Sequence, residues 1–306
     1  VNDGVRYTVP AEKIAEKIRG IFRIAEPFCV KRAFFSVQMH GYILKNGTNL
    51  HDIYVSWRDK SGNTADGRFK NTDFSLFGTS LKTNLPLTKV PGDKDHEFFT
   101  LGSYIVWDLT GNNATHITDA AASGFFFADG KPNGFAGRIR LPRADTKLFA
   151  VGSYNNVVIY SPVGDHQASF LGSGAENECY LVNIGTATQV SCLGSAPEFA
   201  KFEPRPYFYR DMRLCTVSGL TGGSVLYNEP QKVDILFDEL ISAFAKLPKK
   251  RAVLFGGGGA DAVYEKLRER IENRGYICKI TRSQIGTEGL IMLSENTRPS
   301  VGVMHS

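Results

Sequence analysis

Apolar residues recur at helical spacing near the start of the chain. Ile14, Ile18 and Phe22 stand four residues apart, and Pro10 lies where the first turn of a helix accepts proline. This pattern predicts an amphipathic helix over about residues 10–26. The short apolar segment RAFFSV that follows it predicts one buried strand.

The next segments mix strand and loop signals. GYILKNGTNLHDIYVSW has two β-rich runs around Asn46-Gly47, which predicts a hairpin. Residues 60–94 are polar and interrupted by glycine and proline, as is typical of loops with short helices. In EFFTLGSYIVWDLTG nearly every position is apolar, and the length of the run and Gly111 at its end favour a buried helix over a strand.

The second half of the chain has a clearer pattern. KLFAVGSYNNVVIYSPVGD and ECYLVNIGTATQVSCLG are β-rich and end in glycines, so they predict strands that run into loops, and VDILFDELISAFAKL predicts a helix. AVLFGGGGADAVYEKLRERIENRGYICKI predicts a strand, a glycine loop, a helix that stops near Gly275, and a second strand. Such a β-α-β unit implies parallel strands and an α/β fold.

Length and composition indicate a globular protein. The 306 residues are 42% hydrophobic and 22% charged, and this length corresponds to roughly two domains. No apolar stretch reaches the ~18 residues that a membrane span needs, and the first residues lack a basic-then-apolar signal pattern. We therefore place the protein in the cytoplasm and expect no membrane partner.

Cysteine spacing and charge add two exclusions. The five cysteines are widely spaced without a C-x-x-C pair, so we expect reduced thiols rather than a zinc or redox centre. The net charge of +5 is spread thinly, and its one compact basic run, KLPKKR at 246–251, is typical of a solvated loop. We expect no nucleic-acid partner.

Two glycine turns are candidate phosphate sites. The four glycines at 256–259 lie between a predicted strand and a predicted helix, where backbone N–H groups and the positive helix end attract anions. The run matches neither G-x-G-x-x-G nor a P-loop, so a purely structural turn stays an equal alternative. Gly185-Thr186 ends another strand, although threonine in a turn usually acts as a cap.

Polar side chains at three strand ends are candidates for binding and catalysis. Asp165, between a strand and a predicted helix, is either an N-cap or a general base that takes a proton from an attacking hydroxyl. Gln38 and His40 alternate out of the first strand in SVQMHG, and Trp57 and Asp59 end a strand in VSWRDKSG. Together they suit a sugar, and the alternative is core packing with a turn aspartate.

Seven segments occur in the order found in the FGGY family of carbohydrate kinases, and the resemblance covers nearly the whole chain. They are SVQMHG, VSWRDKSG, FFTLGSYIVWDLTGN, THITDAAASGFFF, VGDHQASFLGSG, VNIGTATQVS and LFGGGGADAVYEKL. The segment RPYFYRDMRLCTVSGLTGGSVL looks most like the sedoheptulokinase branch, and the xylulokinase branch is close.

The resemblance implies an α/β, actin-like (ribonuclease-H-like) two-domain sugar-kinase fold that is compact and truncated at its N-terminus. It implies a sugar-binding domain over 1–172 and a nucleotide-binding domain over 173–306, with ATP and Mg²⁺ as cofactors. The sugar and ATP would be the partners, and a homo-oligomer is one option for the assembly.

Matching positions carry the family's roles to this chain. The resemblance implies that Asp165 is the catalytic aspartate, which we also take as the metal ligand. It implies sugar contacts from the motif that holds Gln38, Met39 and His40, with an aromatic neighbour at Trp57, and nucleotide contacts from two loops. The predicted site residues are Asp165 for catalysis, then Gln38, Met39, His40, Trp57, Asp59 and His166 for the sugar, and Gly185, Thr186, Gly256, Gly257, Gly258 and Asp261 for the nucleotide.

This sequence departs from the family pattern at two places that bear on function. The family opens with an Asp-x-Gly-Thr hairpin that helps to hold phosphates and magnesium, and this sequence starts after it. Ser61 stands where the family has an arginine. The sequence therefore supports an ATP-dependent kinase for a ketose such as sedoheptulose or xylulose, with a catalytically incomplete sugar-binding or regulatory protein as the alternative.

Overall fold

Strands and helices form a mixed α/β architecture in the computed structural model, which describes residues 6–45, 52–93, 95–175, 178–195, 201–209, 211–281 and 284–297. The α-helices are α1 (Ala11–Ala25), α2 (Leu101–Thr110), α3 (Ile117–Ala120), α4 (Asp165–Gly172), α5 (Gly223–Asn228), α6 (Val233–Lys246), α7 (Ala260–Glu272) and α8 (Ile285–Asn296).

The strands fall into two groups along the chain. Those before α4 are β1 (Thr8–Pro10), β2 (Arg32–Ala33), β3 (Ser36–Val37), β4 (Tyr42–Lys45), β5 (Ile53–Val55), β6 (Glu97–Thr100), β7 (Ala114–His116), β8 (Arg143–Asp145), β9 (Ala150–Tyr154), β10 (Val157–Tyr160) and β11 (Val163–Gly164). Those after it are β12 (Cys179–Ile184), β13 (Thr188–Gly194), β14 (Glu203–Pro206), β15 (Arg213–Leu220), β16 (Ala252–Gly256) and β17 (Ile277–Ile280).

The first lobe, built from β1 to β11, contains several small sheets. Their strand orders are β1-β5-β4-β6, β2-β10-β9, β11-β3 and β7-β8. Helices α1 and α2 pack on the first of these, where Ala15, Ile43, Phe99 and Tyr104 are buried together. This packing uses the apolar face of α1 that the helical spacing predicts.

The second lobe is a six-stranded sheet in the order β14-β15-β13-β12-β16-β17. Strands β12, β16 and β17 run parallel, and the other pairs are antiparallel. Alternate residues of β12 enter opposite faces, as the two-residue strand period requires. Tyr180 packs with Leu240 of α6 and Leu267 of α7, whereas Leu181 packs with Phe170 of α4.

Helices α4 and α8 cross in direct backbone contact and join the two lobes. A Cβ at Gly172 would overlap the carbonyl oxygen of Ile285, and a Cβ at Gly289 would overlap that of Ala168. Only glycine permits so close an approach at both positions. The crossing holds α4, whose first residue is Asp165, against the second lobe.

The RAFFSV segment forms two short strands, so the prediction of one strand was wrong. Strand β2 pairs in parallel with β10, and β3 pairs in parallel with β11. The segment that carries β10 and β11 is itself interrupted at Pro162, which has no amide hydrogen to donate to a β-ladder. Phe34 leaves the ladder and stacks on Tyr160 with 4.5 Å between ring centroids.

The prediction of one buried helix over 97–111 was wrong in its first four residues. They form β6, which pairs with β4, and α2 starts only at Leu101. Thr100 ends the strand and caps the helix, since its hydroxyl accepts from the Ser103 amide at 3.0 Å and its own amide donates to the Ser103 hydroxyl at 3.0 Å.

Other predicted elements are confirmed. Helix α1 covers most of 10–26, and short 3-10 helices occupy Gly67–Phe69, Phe74–Phe77 and Pro86–Thr88 within the expected loop. The β-α-β unit is present as β16, α7 and β17. The Asn46-Gly47 turn lies outside the described residues, and the strands beside it pair antiparallel. None of the helices that the structure describes has the length and hydropathy to span a membrane.

Candidate active site

A polar cavity of about 400 Å³ lies between the two lobes. Asp165, the first residue of α4, and Asn183, near the end of β12, line it. Lys82 and Arg205 add cationic side chains to its wall. Six of the residues predicted for the sugar site or for catalysis line this cavity: Gln38, Met39, His40, Trp57, Asp165 and His166. The sheet topology thus brings together strand ends that are far apart in sequence.

A second cavity of about 640 Å³ opens beside the glycine loop, and we call it the glycine cavity. Glycines supply part of its wall, at Gly185, Gly223 and Gly258, and apolar side chains such as Leu226 and Val263 supply another part. Gly185 and Thr186 line both cavities. The Gly185-Thr186 turn is therefore the junction between them.

Close backbone contacts hold together the glycine turns that line this cavity. The Gly223 amide donates to the Gly185 carbonyl at 2.8 Å, and the Gly259 amide donates to the Ile184 carbonyl at 2.9 Å. Gly257 has φ +88°, and a Cβ there would stand 2.7 Å from the Ile184 carbonyl oxygen. A Cβ at Gly258 would meet nothing within 4 Å. Gly257 thus shapes the turn, whereas Gly258 faces the cavity.

Three predicted nucleotide residues, Gly256, Gly257 and Asp261, are not among those that line the glycine cavity. Gly256 is the last residue of β16, buried and paired with Asn183 of β12. Asp261 is exposed in the first turn of α7 and is not part of the cavity wall. The loop lines the cavity through Gly258, which is a predicted residue, and through Gly259, which is not.

The structure places Asp59 outside the residues that line the polar cavity, in a buried ion pair. Its carboxylate is buried 3.1 Å from the Lys89 ammonium and accepts from the Ser61 amide at 3.0 Å. Burial alone would raise the Asp59 pKa, but Ser61 and Lys89 lower it below the ordinary value. Ser61 therefore belongs to a structural turn.

Asp165 stands at the floor of the polar cavity, as the first residue of α4. The N-cap of this helix is Gly164, so capping does not explain the aspartate. Its carboxylate is exposed to the cavity, and accepts the His166 amide at 2.9 Å. Enclosure by the cavity walls raises the Asp165 pKa to about 6, although the His166 amide and Arg205 act in the opposite direction. At neutral pH it is a carboxylate with more than ordinary proton affinity.

His40 faces the same cavity as a neutral imidazole. Its Nδ1 lies 2.8 Å from the Ala122 carbonyl oxygen, which can only accept, so Nδ1 carries the proton. Burial, together with Lys82 and Arg205, lowers its pKa to about 3. The Nε2 atom is then a hydrogen-bond acceptor, suited to a hydroxyl donor.

A buried charge network in the cavity wall is the part of the site that sequence reasoning missed. Arg205 and Glu203 of β14 form an ion pair, with the guanidinium 2.6 Å and 2.9 Å from one carboxylate oxygen. Lys82 pairs with the other oxygen and donates to the Ser218 hydroxyl at 2.9 Å. The signal was the E-x-R spacing in EPRP, because residues two apart on a strand share a face.

His166 also belongs to this network, through both of its ring nitrogens. Its Nδ1 lies 2.8 Å from an Arg205 nitrogen and its Nε2 lies 2.9 Å from the Ser191 hydroxyl. Burial and Arg205 lower its pKa well below the ordinary value. Both ring nitrogens are therefore engaged within the protein.

The site offers little for a resident metal. Among the described residues no group of three or more His, Cys, Asp or Glu side chains could hold an ion. Mg²⁺ commonly retains water and takes one or two carboxylates together with nucleotide phosphates. The Asp165 carboxylate near the junction fits an ion that arrives with a nucleotide, and does not form a cage on its own.

Solved structures of sugar kinases have the same fold. A ligand-bound xylulose kinase from Lactobacillus acidophilus is 14% identical, and the match covers 97% of this chain and 82% of that chain with a TM-score of 0.78. A gluconate kinase from the same organism gives the same values. A glycerol kinase from Plasmodium falciparum with ADP is 10% identical, covering 95% and 81% with a TM-score of 0.72.

Comparison of the sequence itself gives no match, either with a family model or with a curated protein. The structural likeness confirms the expected α/β, actin-like sugar-kinase fold class, and identities of 10–14% establish the fold alone. The domain boundary at 172/173 stays a prediction.

Proposed function

We propose that this protein transfers the γ-phosphoryl group of ATP to a hydroxyl of a sugar or related polyol. The observation that carries the proposal is the junction of the two cavities at Gly185-Thr186, with Asp165 in the wall of the polar one. A nucleotide in the glycine cavity would direct its phosphates toward this junction. A hydroxyl near Asp165 would then lie where phosphoryl transfer needs its acceptor.

The polar cavity would bind the acceptor. The Asp165 carboxylate would take the hydroxyl proton, as its raised pKa favours. The His40 Nε2 would accept from a neighbouring hydroxyl, and the Trp57 ring would pack on the C–H face of the sugar. Gln38, whose carbonyl oxygen accepts from Tyr54 at 3.2 Å, has its amide hydrogens left to donate.

The glycine cavity would bind the nucleotide. Backbone amides at Gly185 and Gly258 would approach phosphate oxygens closely, since no Cβ intervenes. The apolar wall near Leu226 and Tyr227 would enclose the base. Bound Mg²⁺ would neutralise phosphate charge, with Asp165 as the protein ligand.

The choice of acceptor is the finer part of the proposal. Ketoses such as sedoheptulose and xylulose come first, because of the motifs in the sequence, and the similar structures of a gluconate kinase and a glycerol kinase add gluconate and glycerol. A coupled assay of ADP release with MgATP tests this panel, with ribulose included and Asp165→Asn as the blank. Acceptor-dependent ADP release that the blank lacks is the expected result. Release that does not depend on any acceptor contradicts the proposal.

A sugar-binding protein without turnover is the second candidate. The observation behind it is that the polar cavity brings together Gln38, His40 and Trp57, which would bind an acceptor whether or not a nucleotide is present. Calorimetry separates the two: acceptor binding with no ADP release, at any MgATP concentration, would favour the binder.

A further inference from the structure

We infer that Arg205 is a positioning residue that fixes the first turn of α4, and through it the Asp165 carboxylate. The inference rests on the proposed function for its catalytic consequence, and on hydrogen-bond geometry for its structural part. Arg205 lies on β14 in the second lobe, 40 residues along the chain from Asp165.

The guanidinium of Arg205 is almost fully used. Its side chain is 6% exposed. Two nitrogens donate to Glu203, and the third, NH1, donates to Gln189 at 3.0 Å and lies 2.8 Å from the His166 Nδ1. A planar group held at this many points has one orientation. Its position is therefore set before any ligand binds.

This orientation dictates the state of the His166 ring. Guanidinium only donates, so Nδ1 of His166 must accept and the ring proton must lie on Nε2. Nε2 then donates to the Ser191 hydroxyl at 2.9 Å, which in turn can donate to the Thr216 hydroxyl at 3.1 Å. The hydrogen bonds therefore all run in one direction, from Arg205 through His166 and Ser191 to Thr216.

The first turn of α4 is bound to β14 at a second point. The Gln167 side chain donates to the Pro206 carbonyl at 3.2 Å. Just before the turn, the Gly164 amide donates to the Thr118 hydroxyl at 3.1 Å, and a Cβ at Gly164 would lie 2.5 Å from the Met39 sulfur, so Gly164 packs closely on the first lobe. Asp165 lies between the contacts made by Gly164 and those made by Gln167, with its carboxylate toward the cavity.

The other end of the network is tied to the first lobe. Ser80 donates to Glu203 at 2.7 Å, and Lys82 pairs with the same carboxylate oxygen. Burial would raise the Glu203 pKa, but Arg205 and Lys82 hold it well below the ordinary value, so the carboxylate stays charged. Arg205 therefore connects the loop beside the cavity to the helix that carries Asp165.

Replacing Arg205 by methionine keeps an unbranched side chain and removes the donors. A displacement of the catalytic carboxylate by about 1 Å can cost about 100-fold in rate. We therefore expect kcat to fall about 30- to 100-fold, while the KM for the acceptor changes less than about threefold. The double variant Arg205→Met/Glu203→Gln also removes the buried Glu203 charge and leaves only the partly exposed Lys82 ammonium without its partner, so it carries the test if the single variant fails to fold. Arg140→Met, at an exposed arginine, is the matched control.

The spectroscopic readout does not depend on turnover. Protein labelled with ¹⁵N-histidine, with His166→Asn for assignment, should show His166 neutral with the proton on Nε2. In both Arg205 variants this signal should lose its tautomer preference, and in Arg140→Met it should not change. An unchanged His166 signal in folded Arg205 variants overturns the inference.

The kinetic outcomes also decide. A KM that rises as much as kcat falls would mean that Arg205 contacts the acceptor itself, and an unchanged kcat would mean that it positions nothing; either result overturns the inference. If the unmodified protein has no turnover with the whole panel, the proposed function fails. The histidine spectrum still decides whether Arg205 fixes the start of α4.

Discussion

Gly172 of α4 and Gly289 of α8 bring two helix backbones into direct contact, and a Cβ at Gly172 would overlap the Gly289 amide nitrogen. This crossing joins the lobe that supplies Gln38 and His40 to the lobe that supplies the glycine loop. The separation of Asp165 from the Gly185-Thr186 junction depends on it, because Asp165 begins the same helix.

Gly289→Ala should therefore destabilise the protein. The new methyl group would overlap the Ala168 carbonyl oxygen, and overpacking of this kind costs about 1–3 kcal/mol. Urea unfolding measures the change, with Gly67→Ala as the matched control, since a Cβ at Gly67 meets nothing within 4 Å. Equal stability of the two variants would show that the helices can separate without cost.

The two glycines at the turn after β16 should respond differently. Gly257→Ala is expected to lower stability, because φ is +88° and the Cβ would lie 2.7 Å from the Ile184 carbonyl oxygen. Gly258→Ala should leave stability unchanged and weaken ATP binding about tenfold or more, since its Cβ points into the cavity where phosphate would lie. Calorimetry with ATP, and thermal unfolding, separate the effects. Unchanged ATP affinity in Gly258→Ala would show that no phosphate of ATP binds beside this loop.

The Asp59–Lys89 pair should matter for stability and not for the acceptor. Asp59→Asn leaves a buried ammonium without its counter-ion, and loss of one partner of a buried pair costs about 3–5 kcal/mol. Trp57→Ala provides the contrast: its acceptor KM should rise at least tenfold with little change in unfolding free energy. A raised KM in Asp59→Asn at unchanged stability would restore Asp59 as a sugar contact.

The rate of phosphoryl transfer should fall at acidic pH through the protonation of Asp165. Its pKa is raised to about 6 in the folded protein, so the group that accepts the proton is lost as the pH falls through about 6. The pH profile of kcat/KM for the acceptor should have its acidic limb there. A limb near pH 4, the value of an ordinary aspartate, would mean that the cavity does not enclose the carboxylate.

The sequence predicted those parts of the site that lie at strand ends. Gln38, His40, Asp165 and Gly185 each follow a recognisable apolar run, and an α/β fold collects such ends at one cleft. Periodicity and turn chemistry made each of them a candidate, and the resemblance to the FGGY kinases placed them in one site. Their chemical roles remain predictions.

The buried network could not be found in the same way. Lys82 comes from the loop at 60–94, whose path no periodicity encodes, and it meets Glu203 across more than 100 residues. The two prolines of EPRP argue against a strand, yet β14 tolerates them because it is an edge strand. The break at Pro162 and the strand before α2 were missed for a related reason: both depend on which strand lies alongside.

The most direct test of the account is the fate of the γ-phosphorus of ATP. We would follow it by ³¹P NMR with each acceptor of the panel, using the unmodified protein and Asp165→Asn side by side. We expect a new phosphomonoester signal that grows together with ADP for one or more acceptors and is absent with Asp165→Asn. Inorganic phosphate as the only product, or the same signal from Asp165→Asn, would contradict it.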